Sequence, residues 1–312
     1  MERNEKMEII DIAVIGAGPA GMSAAIYGIR CGRKTVIFEE KSFGGQIVNA
    51  SRVENYPGIE SINGFEFAMR LYEQVINLGG QIIYEKVEDV QEDGKLKVIK
   101  TCNGSYKAKA VIIATGTRKA ALGLENEKRL TGKGVSYCAT CDGAFFRGKD
   151  VAVIGGGSTA LEEGLFLADY CHKVYMIHRR ENFSGEEKYA EELKTKANVE
   201  FVMNAEVTAI NGNDMVESVE VTHKGNGTKR EIILSGIFVA IGQNPQNTEF
   251  DRVVELNEKG YIIAGEDCIT SCEGIFVAGD CRTKKVRQLT TAAADGAVAA
   301  LAACSYASGI KI

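Results

Sequence analysis

The sequence predicts an α/β protein made of two Rossmann-like, doubly wound nucleotide-binding domains, one inserted into the other. Three observations carry that expectation. A strand, a glycine turn and a helix occur twice in the same order. Ile9 to Ile15 run into Gly16-Ala17-Gly18-Pro19-Ala20-Gly21, and Val151 to Ile154 run into Gly155-Gly156-Gly157-Ser158-Thr159-Ala160. The two units are in register, because 139 residues separate Gly16 from Gly155 and also Glu39 from His178. The repeat extends further, since Val111-Ile112-Ile113-Ala114-Thr115-Gly116 has its counterpart in Ile237-Phe238-Val239-Ala240-Ile241-Gly242.

Each element has a physical reason. In the first turn Gly16 permits the tight bend. Gly18 lets a pyrophosphate approach backbone N–H groups at the positive end of a helix, and Gly21 allows close helix–strand packing. The second turn repeats this with Gly155, Gly157 and Ala160, and with Ser158 and Thr159 at the helix start. The residue closing each unit separates the two nucleotides. Glu39, after Val36-Ile37-Phe38, accepts hydrogen bonds from both hydroxyls of a free ribose and repels a phosphate there. His178, after Val174-Tyr175-Met176-Ile177, is followed by Arg179 and Arg180, whose guanidiniums suit a 2′-phosphate. FAD and NADPH fit this pattern.

Gly274 to Asp280 read as a strand ending in an exposed acid, and Arg287-Gln288-Leu289 precede an Ala-rich helix from about Thr290 to Ala303. These belong with the N-terminal unit, so the nicotinamide domain is inserted into the flavin domain. The expected division is 1–119 and 248–312 for FAD, and 120–247 for NADPH.

The 312 residues suit two domains, and 45% apolar with 25% charged residues is ordinary for a globular chain. A formal net charge of -5 argues against a nucleic-acid partner held by phosphate contacts. The charged start Met1-Glu2-Arg3-Asn4-Glu5-Lys6 lacks a signal region, and no apolar run is long enough to span a bilayer. A cytoplasmic protein with no membrane association is expected. In that compartment Cys31, Cys102, Cys171, Cys268, Cys272, Cys281 and Cys304 are expected as reduced thiols, mostly buried.

Cys138-Ala139-Thr140-Cys141, followed directly by Asp142, lies between the two glycine signatures. Two thiols at this spacing either bind zinc or exchange two electrons. A structural zinc site needs four ligands. Cys268 and Cys272 have the wrong spacing for a second cluster, and His172, His178 and His223 show none. The redox reading is favoured, and no metal is expected.

These residues, with Gly44-Gly45-Gln46, Glu54-Asn55-Tyr56-Pro57-Gly58, Ala114-Thr115-Gly116, Gly279-Asp280 and Arg287-Gln288, carry a resemblance. Over essentially its whole length the chain resembles the low-molecular-weight bacterial thioredoxin reductases. The resemblance implies that Gly44, Gly45, Gln46, Asn55, Thr115 and Gly116 line the flavin site. Asp280 would sit on the ribityl chain, and Arg287, Gln288 and Leu289 near the isoalloxazine. It implies that Cys141 faces the flavin, that Cys138, on the outward side, attacks the protein substrate, and that Asp142 is the general acid–base. Electrons would pass from NADPH through FAD and the dithiol to thioredoxin or a thioredoxin-like protein. Rotation of one domain against the other at the crossings near Ala120 and Asn247 would alternate the two half-reactions. A homodimer is implied too.

One position departs from the family pattern. Ser184 stands where a further Arg usually follows His178-Arg179-Arg180. That keeps ferredoxin, or NADH, open as the donor. Two other readings weigh less. A related ferredoxin–NADP reductase has no need of the dithiol, and a non-enzymatic flavin redox sensor has no need of a second nucleotide site.

Overall fold

The computed structural model describes residues 9–50 and 52–309, the side chain of Lys119 excepted. The chain forms two compact units. One holds the residues up to Arg118 and from Asn244 onwards; the other is Lys119–Gln243. Asn247, expected at a boundary, is buried inside the first unit. Its amide donates to the carbonyls of Gly260 and Cys281, both at 2.9 Å, and accepts from Thr115 Oγ1 at 3.0 Å.

The first unit begins with β1 (Ile10–Ile15), α1 (Pro19–Arg30), β2 (Thr35–Phe38), α2 (Gly64–Asn77) and β3 (Gln81–Ile83). It continues with β4 (Val87–Asp93), β5 (Leu96–Thr101) and β6 (Gly104–Ile113). The strand order is β3-β2-β1-β6-β5-β4. Strands β1, β2 and β3 are parallel, and β1 is parallel to β6. The β4–β5–β6 stretch is an antiparallel meander. Proline opens α1, where its missing N–H costs nothing. After β6, β7 (Thr117–Lys119) pairs with β16 (Gln243–Pro245), one on each chain crossing.

The second unit holds α3 (Glu127–Leu130), β8 (Val135–Ser136), α4 (Ala139–Asp142), β9 (Asp150–Ile154), α5 (Ser158–Ala168) and β10 (Lys173–Ile177). Then come α6 (Glu187–Thr195), β11 (Val199–Val202), the meander β12 (Ala205–Asn211), β13 (Ser218–His223) and β14 (Lys229–Ile233), and β15 (Gly236–Val239). Its parallel sheet runs β11-β10-β9-β15-β8. The chain returns to the first unit through β17 (Ile275–Val277) and α7 (Leu289–Gly309). The helix outruns the expected Ala303 because Cys304 and Ala307 keep burying the same stripe.

The two sheets share a plan: third, second, first, fourth strand, as a doubly wound fold requires. Each then gains a parallel fifth strand beside the fourth. In the first unit it is β17, with Ile275 opposite Val111; in the second it is β8, with Val135 opposite Ile237. One face of each sheet is covered by helix side chains, by Met22, Ala24, Ala299 and Ala303 in the first and by Leu161, Leu167 and Leu193 in the second. Among the described residues no helix is long and apolar enough to cross a membrane.

Candidate active site

In the second unit β8 ends at Ser136, and two residues later Cys138 caps the short helix α4. Cys138 and Cys141 are joined in a disulfide, with Cα atoms 5.3 Å apart. The Cys138 carbonyl accepts the N–H groups of Cys141 (3.2 Å) and Asp142 (3.1 Å), which fixes the ring against α4. Ser136 Oγ donates to Asp142 Oδ2 at 2.6 Å and accepts from the Cys138 N–H at 3.1 Å. One hydroxyl therefore tethers the carboxylate to the backbone of the first cysteine. Asp142 closes α4 rather than capping its start. Cys141 is exposed and Cys138 is half-buried. Glu163 accepts the Ala139 N–H at 3.2 Å from the side of α5. Tyr137 donates its hydroxyl to buried Glu127 at 2.9 Å; burial first, then that carboxylate, pushes the phenol up to about 12.

The second glycine turn lies at the start of α5. Gly155 has φ 153°, and a Cβ there would sit 2.3 Å from the Ala240 carbonyl oxygen. Gly157 has open space around its Cβ position, which suits an approaching phosphate. His178 does not reach outward. It is buried beneath Gly156, where a Cβ would meet its ring at 2.1 Å, and it stacks on Phe183 at 5.5 Å. Burial, with Arg180 and Arg179 nearby, holds the imidazole below its usual range. Arg179 and Arg180 are exposed, and among the described residues neither forms an ion pair. Ser184 folds back on the turn, its N–H (2.8 Å) and Oγ (3.1 Å) both donating to the Gly156 carbonyl, with Gly185 N–H at 3.0 Å. Ser158 Oγ accepts the Glu186 N–H at 3.0 Å, so that hydroxyl is engaged within the protein.

The first glycine turn is built alike. Gly16 has φ 108°, and a Cβ would sit 2.4 Å from the Ala114 carbonyl oxygen. At Gly21 it would sit 1.9 Å from Gly16 O, while at Gly18 it would meet only the Gly45 Cα, at 4.0 Å. Glu39 holds the turn: Oε2 accepts the Ala17 N–H and Oε1 the Lys41 N–H, both at 2.9 Å. Gly44 N–H donates to the Ala17 carbonyl at 2.7 Å, and Gln46 donates to the Thr117 carbonyl. Asn55 Nδ2 reaches Gln288 Oε1 at 3.3 Å. Arg287 Nε donates to the Asp280 carbonyl at 3.2 Å and lies over Tyr261 at 4.3 Å. The first glycine turn, Gln46, Asn55, Thr115, Asp280 and Arg287 thus belong to one unit. Their open glycine faces fit a dinucleotide.

Sequence reasoning missed the group that holds this loop. Asp295, 5% exposed, accepts Arg282 Nε (2.8 Å) and Nη2 (2.9 Å), Lys284 Nζ (2.8 Å) and the Gly279 N–H (3.0 Å). Burial opposes its ionisation, but the two cations outweigh it and hold the carboxyl below its usual range. A signal existed, since Asp295 is the sole charged residue between Leu289 and Gly309. Ser136 was missed as well, and a lone Ser before a cysteine carries no pattern.

Comparison with known proteins agrees with this arrangement. Residues 10–296 match the model of the pyridine nucleotide-disulphide oxidoreductase family. The chain belongs to that family of flavin- and pyridine nucleotide-linked oxidoreductases, within it to the thioredoxin reductases. It is 42% identical over 305 residues to the thioredoxin reductase of Peptoclostridium acidaminophilum, covering 96% of this chain and 97% of that one. It is 40% identical over 300 residues to the thioredoxin reductase of Bacillus subtilis, with 96% and 95% covered. The crystal structure of thioredoxin reductase from Streptococcus pyogenes matches with TM-score 0.93 at 38% identity, over 97% of this chain and 99% of that chain.

Proposed function

We propose that the chain is a thioredoxin-disulfide reductase that takes electrons from NADPH, through FAD and the Cys138–Cys141 disulfide, to thioredoxin or a thioredoxin-like protein. The observation that carries this reading is the closed disulfide with Asp142 tethered beside it, in a unit that repeats a nucleotide-binding plan. In this reading the residues up to Arg118 and from Asn244 onwards hold FAD. Gly16, Gly18, Pro19, Ala20 and Gly21 face its pyrophosphate, and Gly44 to Gln46, Asn55, Thr115, Gly116, Gly279, Asp280 and Arg287 to Leu289 line the remainder. Lys119–Gln243 holds NADPH on Gly155 to Ala160, with Arg179 and Arg180 for the 2′-phosphate. His178 supports Gly156 from below. A cytoplasmic homodimer belongs to the same proposal.

When bound, these cofactors supply the two electrons that open the disulfide. The chain's own residues do the rest. Cys138, once a thiolate, attacks the substrate disulfide, and one substrate sulfur leaves. Cys141 then attacks the Cys138 sulfur, the bond to the substrate breaks, the second substrate sulfur leaves as a thiolate that takes up a proton, and the internal disulfide is restored. Asp142 passes a proton between the nascent thiolates and solvent, held in place by Ser136.

A second reading keeps the dithiol chemistry and changes the donor to ferredoxin. It is favoured by Ser184 and Gly185 folding back on Gly156, which leaves no third cation beside Arg179 and Arg180. Stopped-flow bleaching of the flavin by NADPH, NADH or reduced ferredoxin decides between them. Bleaching by NADPH followed by thioredoxin reduction supports the first. Bleaching by ferredoxin alone replaces it with the second.

A further inference from the structure

Helix α5 reaches the redox turn at two places. Glu163 Oε1 accepts the Ala139 N–H at 3.2 Å, and Ala139, fully buried, stands between the two cysteines. One turn further on, the helix packs against the residue that follows Asp142. A Cβ on Gly143 would sit 2.9 Å from Phe166 Cε1 and 3.0 Å from Leu167 Cδ2. Thr159, Glu163, Phe166 and Leu167 follow the i, i+4, i+7, i+8 spacing of one helix face. The face that begins at the second glycine turn therefore runs along the redox turn. Covalent geometry keeps the Cys138 sulfur within about 5 Å of the Ala139 nitrogen, and so within about 8 Å of Glu163 Oε1. Both Glu163 and Cys138 are half-buried, so solvent screens that separation only in part.

We infer that Glu163 is a positioning residue of the dithiol: it seats the Cys138–Cys141 ring on α5, and its negative charge keeps the reduced pair a strong electron donor. The inference rests on the dithiol reading of the site and not on which donor feeds it. Opening the ring adds two electrons and one proton, breaks the S–S bond and leaves one thiol and one thiolate. The bound cofactors supply the electrons, and solvent the proton. New negative charge thus appears beside a carboxylate. Like charges about 8 Å apart in a half-buried site disfavour that state by about tenfold. The reduced pair therefore passes its electrons more readily to a substrate disulfide. The titratable groups that hydrogen bonds join to the turn are Asp142, Tyr137 with Glu127 behind it, and Glu163. Asp142 belongs to α4 itself, whereas Glu163 stands on the helix of the second glycine turn.

The test uses the full-length holoenzyme equilibrated with reduced and oxidised dithiothreitol at about pH 8. Samples are quenched in acid, thiols are blocked, and the state of the pair is read by mass in the tryptic peptide Gly134–Arg147. E163Q keeps an acceptor oxygen for the Ala139 N–H and loses the charge, so flavin content and melting temperature should match wild type. Its equilibrium should lie about tenfold further toward the dithiol, which is about 30 mV for a two-electron couple. The pH midpoint for iodoacetamide labelling of the reduced peptide should fall by about one unit, because a thiolate forms more easily once the neighbouring charge is gone. E163D keeps the charge on a shorter arm and should stay near wild type in both readings. An E163Q protein that matches wild type in both, or an E163D protein that departs as far as E163Q does, overturns the inference and leaves Glu163 a structural tether. A wild-type pair that never equilibrates with the dithiothreitol buffers overturns the dithiol reading along with it.

Discussion

The fifth strands of the two sheets lead into turns that occupy the same topological place and do opposite things. Strand β17 runs into Gly279-Asp280-Cys281-Arg282, and β8 runs into Tyr137 and the Cys138–Cys141 turn. With Ile275 and Val135 at matching register, Cys281 stands in the first unit where Cys141 stands in the second. Cys281 is fully buried, and burial pushes its thiol upward, away from reactivity. Cys141 is exposed and already bonded to sulfur. The first turn is locked by a buried carboxylate with two cations, and the second by one hydroxyl and two backbone bonds. The same scaffold thus offers a rigid cradle or a reactive loop. What decides is the polar groups behind the turn, not the strand plan.

The largest expected effect breaks the reactive side of this comparison. Cys138→Ser should abolish thioredoxin turnover while the donor still bleaches the flavin. Steady-state turnover and single-turnover flavin absorbance check both halves, and retained turnover would show the assignment to be wrong.

Breaking the rigid side comes next. Asp295→Ala removes the two-pronged partner of the Arg282 guanidinium, 1% exposed, and leaves it only the exposed Glu266 at 3.4 Å as a counter-charge. It should cost about 3–5 kcal/mol in urea unfolding and lower the retained flavin. The same carboxyl gives a pH signature. Its pKa is lowered in the folded chain, so its contribution is complete above about pH 4 and is lost as pH falls through the folded value. Asp295→Asn should flatten that acid-side loss, and an unchanged acid titration would count against the role.

Asp142→Asn should slow exchange with thioredoxin about a hundredfold and shift its pH profile, while fold and flavin stay intact. Ser136→Ala should give part of the same shift, because it removes one tether of the carboxylate without removing the carboxylate. Rapid-mixing rates across pH read both, and parallel profiles for all three proteins would reduce Asp142 to a structural acid.

The smallest effect concerns the second glycine turn. Ser184→Arg should lower the apparent KM for NADPH about tenfold, the weight of one charge-assisted phosphate contact. An unchanged KM, with Arg179 and Arg180 intact, would mean that the fold of residues 184–186 over Gly156 limits binding, not the missing cation.

Much of this was legible in the residues. The glycine turns read directly because backbone closeness admits little else: Gly16 and Gly155 both press on the carbonyl oxygen of the residue just after the fourth strand, Ala114 and Ala240. The insertion was legible through the 139-residue register. Strand β8 was not, because Val135–Ser136 is too short for any periodicity to show. The roles of Ser136 and Asp295 depend on contacts across the fold and leave no local spacing. From its place at the strand end, where the first unit has Glu39, His178 reads as part of the NADPH site. Only the packing under Gly156 shows that its ring is turned inward. The exposure of Cys141 over Cys138 likewise depends on how α4 is seated, which spacing does not encode.

Trapping the mixed disulfide tests the central claim most directly. Reduced Cys141→Ser protein, mixed with oxidised thioredoxin, lacks the thiol that resolves the intermediate. Digestion without reduction and mass analysis should find a thioredoxin peptide bonded to Cys138, and Cys138→Ser protein should yield none on Cys141. Thioredoxin trapped on Cys141 in the Cys138→Ser protein, with none on Cys138 in the other, would contradict the account and make the exposed cysteine the nucleophile.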